Sequence, residues 1–417
     1  MGFIENIQVW LQELSLPILL IVGVMTMLGL FAGRSIRHLR LPSIIGFMMV
    51  GVIMGPSLLN ILNSNVQEHL AFITELALGF VALSIGLELS FRNLRGQGMG
   101  MIYIIMCESL LAFGVVSAGI YMVTGSLPLA LIFGAVAPAS APAGTVAIIQ
   151  EYRSRGSLTN ALYTVVGFDD GLGIIIFGFT FAFVSNLIAP GAQGQSGELG
   201  SLILAPLREI GLSIGVGGVV SVIFCYLARK LTSARDIFVL LFSSVLISVG
   251  ISTRLHFSLI LTNMVLGIVA VNTQPRNFIQ KIRDELTEIM PLLFVLFFVL
   301  AGANLHISVL PSLGIIGLVY MVCRITGLMG GAWIGATIGK AESKIRKYLG
   351  MGILSQAGVA IGLALIVKHH FSQLGDEGAG IGSIVITSVT ATSIIFEVIG
   401  PVLTKIGLSK AGEISSP

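Results

Sequence analysis

The sequence predicts an all-α polytopic membrane protein of about thirteen transmembrane helices, and three observations support this fold class. Of its residues, 55% are hydrophobic and 10% are charged, against about 25% charged in soluble domains. The mean hydropathy is +0.98, and apolar runs long enough to cross a bilayer recur along the chain. The 51 glycines suit helices that pack closely within a membrane. We therefore expect a single transmembrane domain over residues 1–417, without a soluble regulatory domain.

Thirteen apolar runs are candidate spans. They lie at about 14–33, 41–59, 70–90, 100–123, 127–149, 157–184, 205–227, 236–252, 255–272, 289–305, 310–338, 347–367 and 379–404. An odd number of spans places the two termini on opposite sides of the membrane. Alternate loops carry nineteen Lys and Arg residues, whereas the opposite loops carry Arg254 and Lys368. The positive-inside rule then predicts an outer N-terminus and a cytoplasmic C-terminus.

Two of these spans are predicted to be broken helices. If span 7 is a linker, spans 1–6 and 8–13 form two inverted six-helix repeats, and spans 5 and 12 hold equivalent positions. Span 5 contains the segment 137–144 with Pro138 and Pro142, and span 12 contains the glycine-rich segment 354–362. Proline removes a helix hydrogen bond, and lipid cannot satisfy the freed carbonyls. Paired interruptions therefore predict crossed broken helices around a midplane site.

Two adjacent carboxylates, Asp169 and Asp170, lie in the apolar span 6. One aspartate at a helix centre costs roughly 2.5–3.5 kcal/mol, so the pair needs water, a counter-charge or a cation. Carboxylate oxygens suit hard cations and must lose a proton to bind them. We predict a site, formed by Asp170 and Asp169, that exchanges protons for a monovalent cation. The alternative, in which both carboxylates only hold the bundle together, stays open.

Further polar residues are candidates for ion contacts. Near the breaks these are Ser140 and Gln356, followed by Thr145 and Ser355. The roles of Glu75, Glu108 and Glu397 are left open.

Two other classes of protein were weighed against an ion exchanger. An intramembrane aspartyl protease needs its aspartates on two helices, whereas successive residues on one helix diverge by about 100°. A sodium-coupled symporter of organic anions needs a roomy polar pocket, and no second polar cluster marks one. We therefore expect a transporter and not an enzyme, without a cofactor and without bound nucleic acid.

The chain resembles the monovalent cation:proton antiporters, and within them the CPA2 branch of bacterial exchangers. The similarity lies in the segments 41–56, 75–88 and 397–401, in the broken span 5 and in the Asp169-Asp170 pair that follows it. The resemblance implies an antiporter in the cell inner membrane that exchanges Na+, or alternatively Li+ or K+, for H+ by alternating access. It also implies a homodimer in membrane lipid.

The resemblance also assigns residue roles. Asp170 falls at the essential ion- and proton-binding aspartate, and Arg324 falls where relatives place a buried basic partner. Asp169 stands where the potassium-efflux branch has glutamine, which favours sodium and leaves a K+/H+ antiporter as the alternative. Because a guanidinium stays protonated, an Arg324–Asp169 pair predicts that one proton exchanges for one cation without net charge movement.

Overall fold

The computed structural model describes residues 17–91, 100–188, 198–255, 257–305 and 313–414, without the side chains of residues 170, 186 and 198–207. Every regular element within these ranges is helical. The first seven helices are α1 (Ile18–His38), α2 (Ser43–Met54), α3 (Ser64–Glu88), α4 (Gly100–Thr124), α5 (Leu127–Val136), α6 (Pro142–Glu151) and α7 (Ser157–Ile188). The remaining helices are α8 (Glu198–Ala228), α9 (Ala234–Leu255), α10 (Leu259–Thr273), α11 (Arg276–Ala303), α12 (Gly314–Ile338), α13 (Ser343–Tyr348), α14 (Gly358–Phe371) and α15 (Asp376–Lys410). A 3-10 segment, Leu349–Gly352, follows α13.

Over the described residues, each of the thirteen predicted spans coincides with a helix or with a pair of shorter helical pieces. Residues 14–16 of the first span and 310–312 of the eleventh lie outside the described part of the chain. Among the described residues, nine helices are long and apolar enough to cross a membrane, and four shorter apolar helices accompany them. The interruption of span 5 is confirmed, because α5 ends at Val136 and α6 begins at Pro142. The predicted interruption of span 12 extends too far, since α14 already begins at Gly358. The number of membrane crossings stays a prediction.

The helices pack into two groups. The core group comprises α4–α7, the 3-10 segment and α12–α15, in which α4 packs along α12 and α5 packs on both α4 and α7. The scaffold group comprises α1–α3 and α8–α11, in which α3 packs along α10 and α2 packs on α11. Contacts between the groups run mainly from α7 to α8 and α3. The two aspartates on α7 therefore belong to the core group beside its boundary with the scaffold.

Close approach of α4 and α12 fixes the centre of the core group. A β-carbon at Gly327 would lie 2.7 Å from the Cα atom of Ala112, and one at Gly331 would lie 2.4 Å from the Cα atom of Glu108. Glycines four residues apart share one helix face and allow two backbones to touch. This contact places Arg324 of α12 and Glu108 of α4 deep in the core, where both are fully buried.

The first turn of α7 is capped by the end of the described chain. The Glu413 carboxylate accepts hydrogen bonds from the backbone N–H groups of Leu158 at 2.9 Å and Thr159 at 2.8 Å. A β-carbon at Gly156 would lie 2.2 Å from the Glu413 carboxyl carbon, so this approach requires glycine. Helix N-termini carry unsatisfied N–H groups and favour a negative charge. Glu413 thereby anchors the helix that carries both aspartates.

Candidate ion-binding site

The two interruptions lie against each other. The Ala141 N–H of the first break donates to the Ser355 carbonyl of the second at 2.9 Å, and the Thr145 hydroxyl donates to the Gly352 carbonyl at 2.7 Å. Pro142 occupies the first turn of α6, where its missing N–H costs nothing. The structure therefore joins the two segments that the sequence predicts to be broken.

Arg324 connects both breaks from the side of α12. Its Nε and Nη2 atoms donate to the carbonyls of Ala137 at 2.9 Å and Ala139 at 3.0 Å, at the end of α5. Its Nη1 atom donates to the Leu354 carbonyl in the second break at 2.8 Å. The guanidinium also lies 4.5 Å from the centre of the Phe396 ring. Free carbonyls at helix ends carry partial negative charge, so one fixed cation stabilises both interruptions.

Asp169 lies at the first break. Its side chain is fully buried, and the Ser140 hydroxyl donates to its Oδ2 atom at 2.5 Å. A β-carbon at Gly173, one helical turn further along α7, would lie 3.8 Å from the Ala139 nitrogen, so α7 passes closely beside the break. The backbone of Asp170 continues in α7, whereas its side chain lies outside the described part of the structure.

The other candidate contacts lie in the second break and at its edge. The Gln356 Nε2 atom donates to the Tyr320 hydroxyl at 2.7 Å. Among the described atoms, Gln356 Oε1 and Ser355 Oγ are buried without a hydrogen-bond partner. Such oxygens are costly unless a water or an ion occupies them. Gln356 and Ser355 therefore offer buried oxygen ligands, whereas the Thr145 hydroxyl is already used in joining the breaks.

Glu108 is a further charged group near the site, whose role the sequence did not resolve. It is fully buried, its Oε1 atom accepts from Ser109 at 3.0 Å, and its Oε2 atom has no hydrogen-bond partner among the described atoms. Glu108 interacts electrostatically with both Asp169 and Arg324. The glycines on the facing side of α12 were the available sequence signal, because they indicate which face of α4 is buried. Tyr320 is not among the sequence-predicted residues, since a tyrosine in an apolar span carries no signal of its own.

Glu75 and Glu397 are the other two acidic residues whose roles the sequence leaves open. Glu75 accepts a hydrogen bond from Thr253 at 3.3 Å within the scaffold group. Glu397 follows Phe396 on α15, and its buried Oε2 atom has no described hydrogen-bond partner.

The described site combines Asp169, Ser140, Ser355 and Gln356 around one buried guanidinium, that of Arg324. Oxygen ligands of this kind suit a hard cation.

Comparisons with known proteins identify the family and the fold of the chain. A family model described as the transmembrane sodium/hydrogen exchanger matches residues 23–408. The chain is 22% identical over 305 residues to the high-affinity Na+/H+ antiporter NhaS3 of Synechocystis sp., a match that covers 71% of this chain and 64% of that protein.

Solved structures show the same fold. The sodium proton antiporter MjNhaP1 of Methanocaldococcus jannaschii at pH 8 superposes with a TM-score of 0.67 and 19% identity, over 95% of this chain and 96% of that chain. An electron-microscopy structure of the same antiporter gives a TM-score of 0.72 and 20% identity, over 94% and 95% of the two chains.

Proposed function

The chain belongs to the transmembrane sodium/hydrogen exchanger family, and on this premise we propose that it exchanges Na+ for H+ across the membrane. The observation that carries the proposal is the buried Asp169–Ser140 pair at the point where two interrupted helices meet. A buried carboxylate in a membrane is expensive to maintain and marks an ion or proton pathway. The activity of the antiporter NhaS3, which matches most of this chain, supports sodium as the cation.

Asp170 is the proposed shared site of proton and cation, and Asp169 is its neighbour within the site. A carboxylate must release its proton to ligate a metal ion, so capture of Na+ and release of H+ are one exchange. Ser140, Ser355 and Gln356 supply additional oxygens, with Thr145 at the edge. Arg324 holds the two breaks in place through its three carbonyl bonds and is not itself a proton carrier.

Alternating access is the proposed mode of transport. A site on two broken helices at the midplane cannot face both sides at once, and related folds move one bundle against another. The division into a core group and a scaffold group supplies two bodies for such a movement. The core group carries the aspartates, both breaks and Arg324, so it moves as the carrier of the ion.

The proposed exchange is electroneutral. Arg324 interacts electrostatically with Asp169, and an opposite charge favours the ionised carboxylate. Asp169 then stays ionised through the cycle, and Asp170 alone exchanges one proton for one monovalent cation. Glu108 also interacts electrostatically with the same guanidinium.

The setting of the protein in the cell is also a proposal. The chain is a multi-pass membrane protein, and the asymmetry of its basic loops supports a cytoplasmic C-terminus. The resemblance supports a homodimer in the inner membrane and membership of the CPA2 branch.

Proteoliposomes that contain a pH-sensitive dye test the function. Addition of Na+ to the outside should drive protons out of the vesicles, whereas citrate added as a sodium-free salt should not. Parallel additions of Li+ and K+ rank the cations. A response to K+ alone would identify a K+/H+ antiporter, and the absence of any cation response would refute exchange.

A membrane-potential clamp tests the electroneutral mechanism. If K+ is not transported, potassium and valinomycin impose a potential without altering the exchange reaction. We expect the same sodium-driven proton flux at every imposed potential, because one proton replaces one cation. A flux that accelerates with the potential would show net charge movement and refute the fixed charge assigned to Asp169.

A further inference from the structure

The turn between α1 and α2 is held by two charged side chains from the other group of helices. Glu151, the last residue of α6 in the core group, accepts from the Ser43 N–H at 3.1 Å and from the Ser43 hydroxyl at 2.7 Å. Lys405 of α15, also in the core group, donates to the Arg40 carbonyl at 2.6 Å. Arg40 and Ser43 both belong to the scaffold group.

Each of the two charged side chains lies at a helix end whose partial charge has the opposite sign. Pro42 is the N-cap residue of α2 and makes no side-chain cap, so the first N–H groups of α2 depend on an outside acceptor. Glu151 supplies that acceptor and places negative charge at the helix N-terminus. Lys405 places positive charge beyond the C-terminus of α1, where the helix dipole is negative. The core group therefore complements both ends of one scaffold turn.

The surroundings favour this arrangement. The Lys405 ammonium lies 4.9 Å from the centre of the Tyr152 ring. Burial, followed by the charge of Glu151, raises the pKa of Tyr152 to about 12, so the ring remains neutral and presents its face to the cation. Ser43 is 5% exposed, whereas the side chains of Glu151 and Lys405 are half-buried. Water can replace these bonds when they open, so the contact is reversible.

We propose that Glu151 and Lys405 form a clasp that holds the core group against the scaffold in one transport conformation and opens in every cycle. The clasp rests on the proposed alternating access. Hydrogen bonds weaken steeply when donor and acceptor move apart or out of line, so a sliding core group breaks both contacts at once. The neighbouring boundary at Gly167 of α7 is apolar instead, facing Ile85 and Met264 of the scaffold, and apolar contacts have no preferred direction.

A cleavable cross-link tests whether the clasp opens. The variant carries Ser43→Cys and Glu151→Cys in a chain whose Cys107, Cys225 and Cys323 are replaced by serine. A short bis-methanethiosulfonate linker joins the two thiols, a long one bridges them loosely, and reductant removes either. The matched control carries Ser157→Cys and Glu342→Cys, because this pair is joined by a 2.6 Å hydrogen bond within the core group.

The short linker on the clasp pair should stop sodium-driven proton flux, and the long linker or reduction should restore it. The same linker on the control pair should leave flux unchanged, and both linked proteins should unfold at a higher temperature with sodium than without it, because the binding site is intact. Flux that persists through the short linker overturns the clasp alone. Loss of flux in both linked pairs also overturns it. A wild-type protein without sodium-driven flux refutes the exchange itself, and the clasp with it.

Hydrogen exchange gives a second readout in the uncross-linked protein. Glu151→Ala should speed exchange of the amides at the start of α2 by about tenfold, because a charge-assisted bond is lost. Glu342→Ala should leave these amides unchanged. Equal exchange of the α2 amides in wild type and Glu151→Ala would show that the carboxylate does not hold the turn.

Discussion

The two interruptions of the core group differ in what produces them. The first, residues 137–141, is framed by Pro138 and Pro142, so its own sequence prevents a continuous helix. The second, residues 353–357, contains no proline. Its backbone is held by partners outside the segment, namely the guanidinium of Arg324 on the Leu354 carbonyl and the Ala141 N–H on the Ser355 carbonyl. The first break is therefore specified by its own prolines as well as held by partners, whereas the second depends on the packed core alone.

This difference predicts unequal sensitivity to mutation. Changes outside the breaks should disturb the second more than the first, because the first also has Pro138 and Pro142 to interrupt its helix, whereas the second has only its packing partners. Substitution of the prolines should lower stability only mildly, because the hydrogen bonds of Arg324 and Ser140 still hold the first break once the core is packed.

Arg324→Ala should have the largest effect, because it removes three carbonyl bonds and leaves Asp169 and Glu108 without a buried cation. Loss of one partner from a buried charge network costs about 3–5 kcal/mol. We expect a large fall in the thermal unfolding temperature in detergent, together with loss of flux. Arg324→Lys keeps the charge but not the planar set of donors, so its unfolding temperature should lie between those of wild type and Arg324→Ala. An Arg324→Ala variant that unfolds at the wild-type temperature would show that the second break keeps its shape without the guanidinium.

Gly400→Ala should disturb the second break specifically. The new β-carbon would lie 2.2 Å from Ser355 Oγ and 2.8 Å from the Ser355 Cα atom. Overpacking of this kind costs about 1–3 kcal/mol, measured as a lower unfolding temperature. Gly362→Ala is the matched control, because a β-carbon there meets nothing within 4 Å, and it should be neutral or slightly stabilising. Equal effects of the two changes would contradict the close contact between α15 and the break.

Pro142→Ala should have the smallest effect. Proline at the first turn of a helix mainly restricts the unfolded chain, and its removal costs about 0.4–1 kcal/mol. The unfolding temperature should fall only slightly and sodium-driven flux should persist. A fall in unfolding temperature as large as that of Gly400→Ala would mean that the first break needs Pro142 to keep its shape.

The same contrast explains what the sequence could predict. The prolines of the first break are visible in the chain itself, so its position was predicted closely. The predicted interruption at 354–362 covers the second break but extends past its end, because Gly358 and Gly362 suggest an interruption and yet lie in α14. Only the folded core shows that the break ends where the bonds from Arg324 and Ala141 end.

The candidate site shows the same limit. An aspartate pair in an apolar span and a lone buried arginine are detectable as costly residues, and both lie in the core group beside the breaks. The carbonyl partners of Arg324 are not detectable, because any residue supplies a carbonyl. The sequence marks Glu108 as a costly charge but assigns it no role, since its interaction with Asp169 and Arg324 arises from the packing of α4 on α12.

Sodium-driven proton flux through purified Asp170→Asn, measured beside wild type in dye-loaded proteoliposomes, tests the proposed exchange most directly. The amide retains the size of the side chain but neither releases a proton nor offers an anionic ligand. The variant should therefore fold, with an unfolding temperature near that of wild type, and show no flux above vesicles without protein. Flux at the wild-type rate in this well-folded variant would contradict the assignment of Asp170 as the shared site of proton and cation.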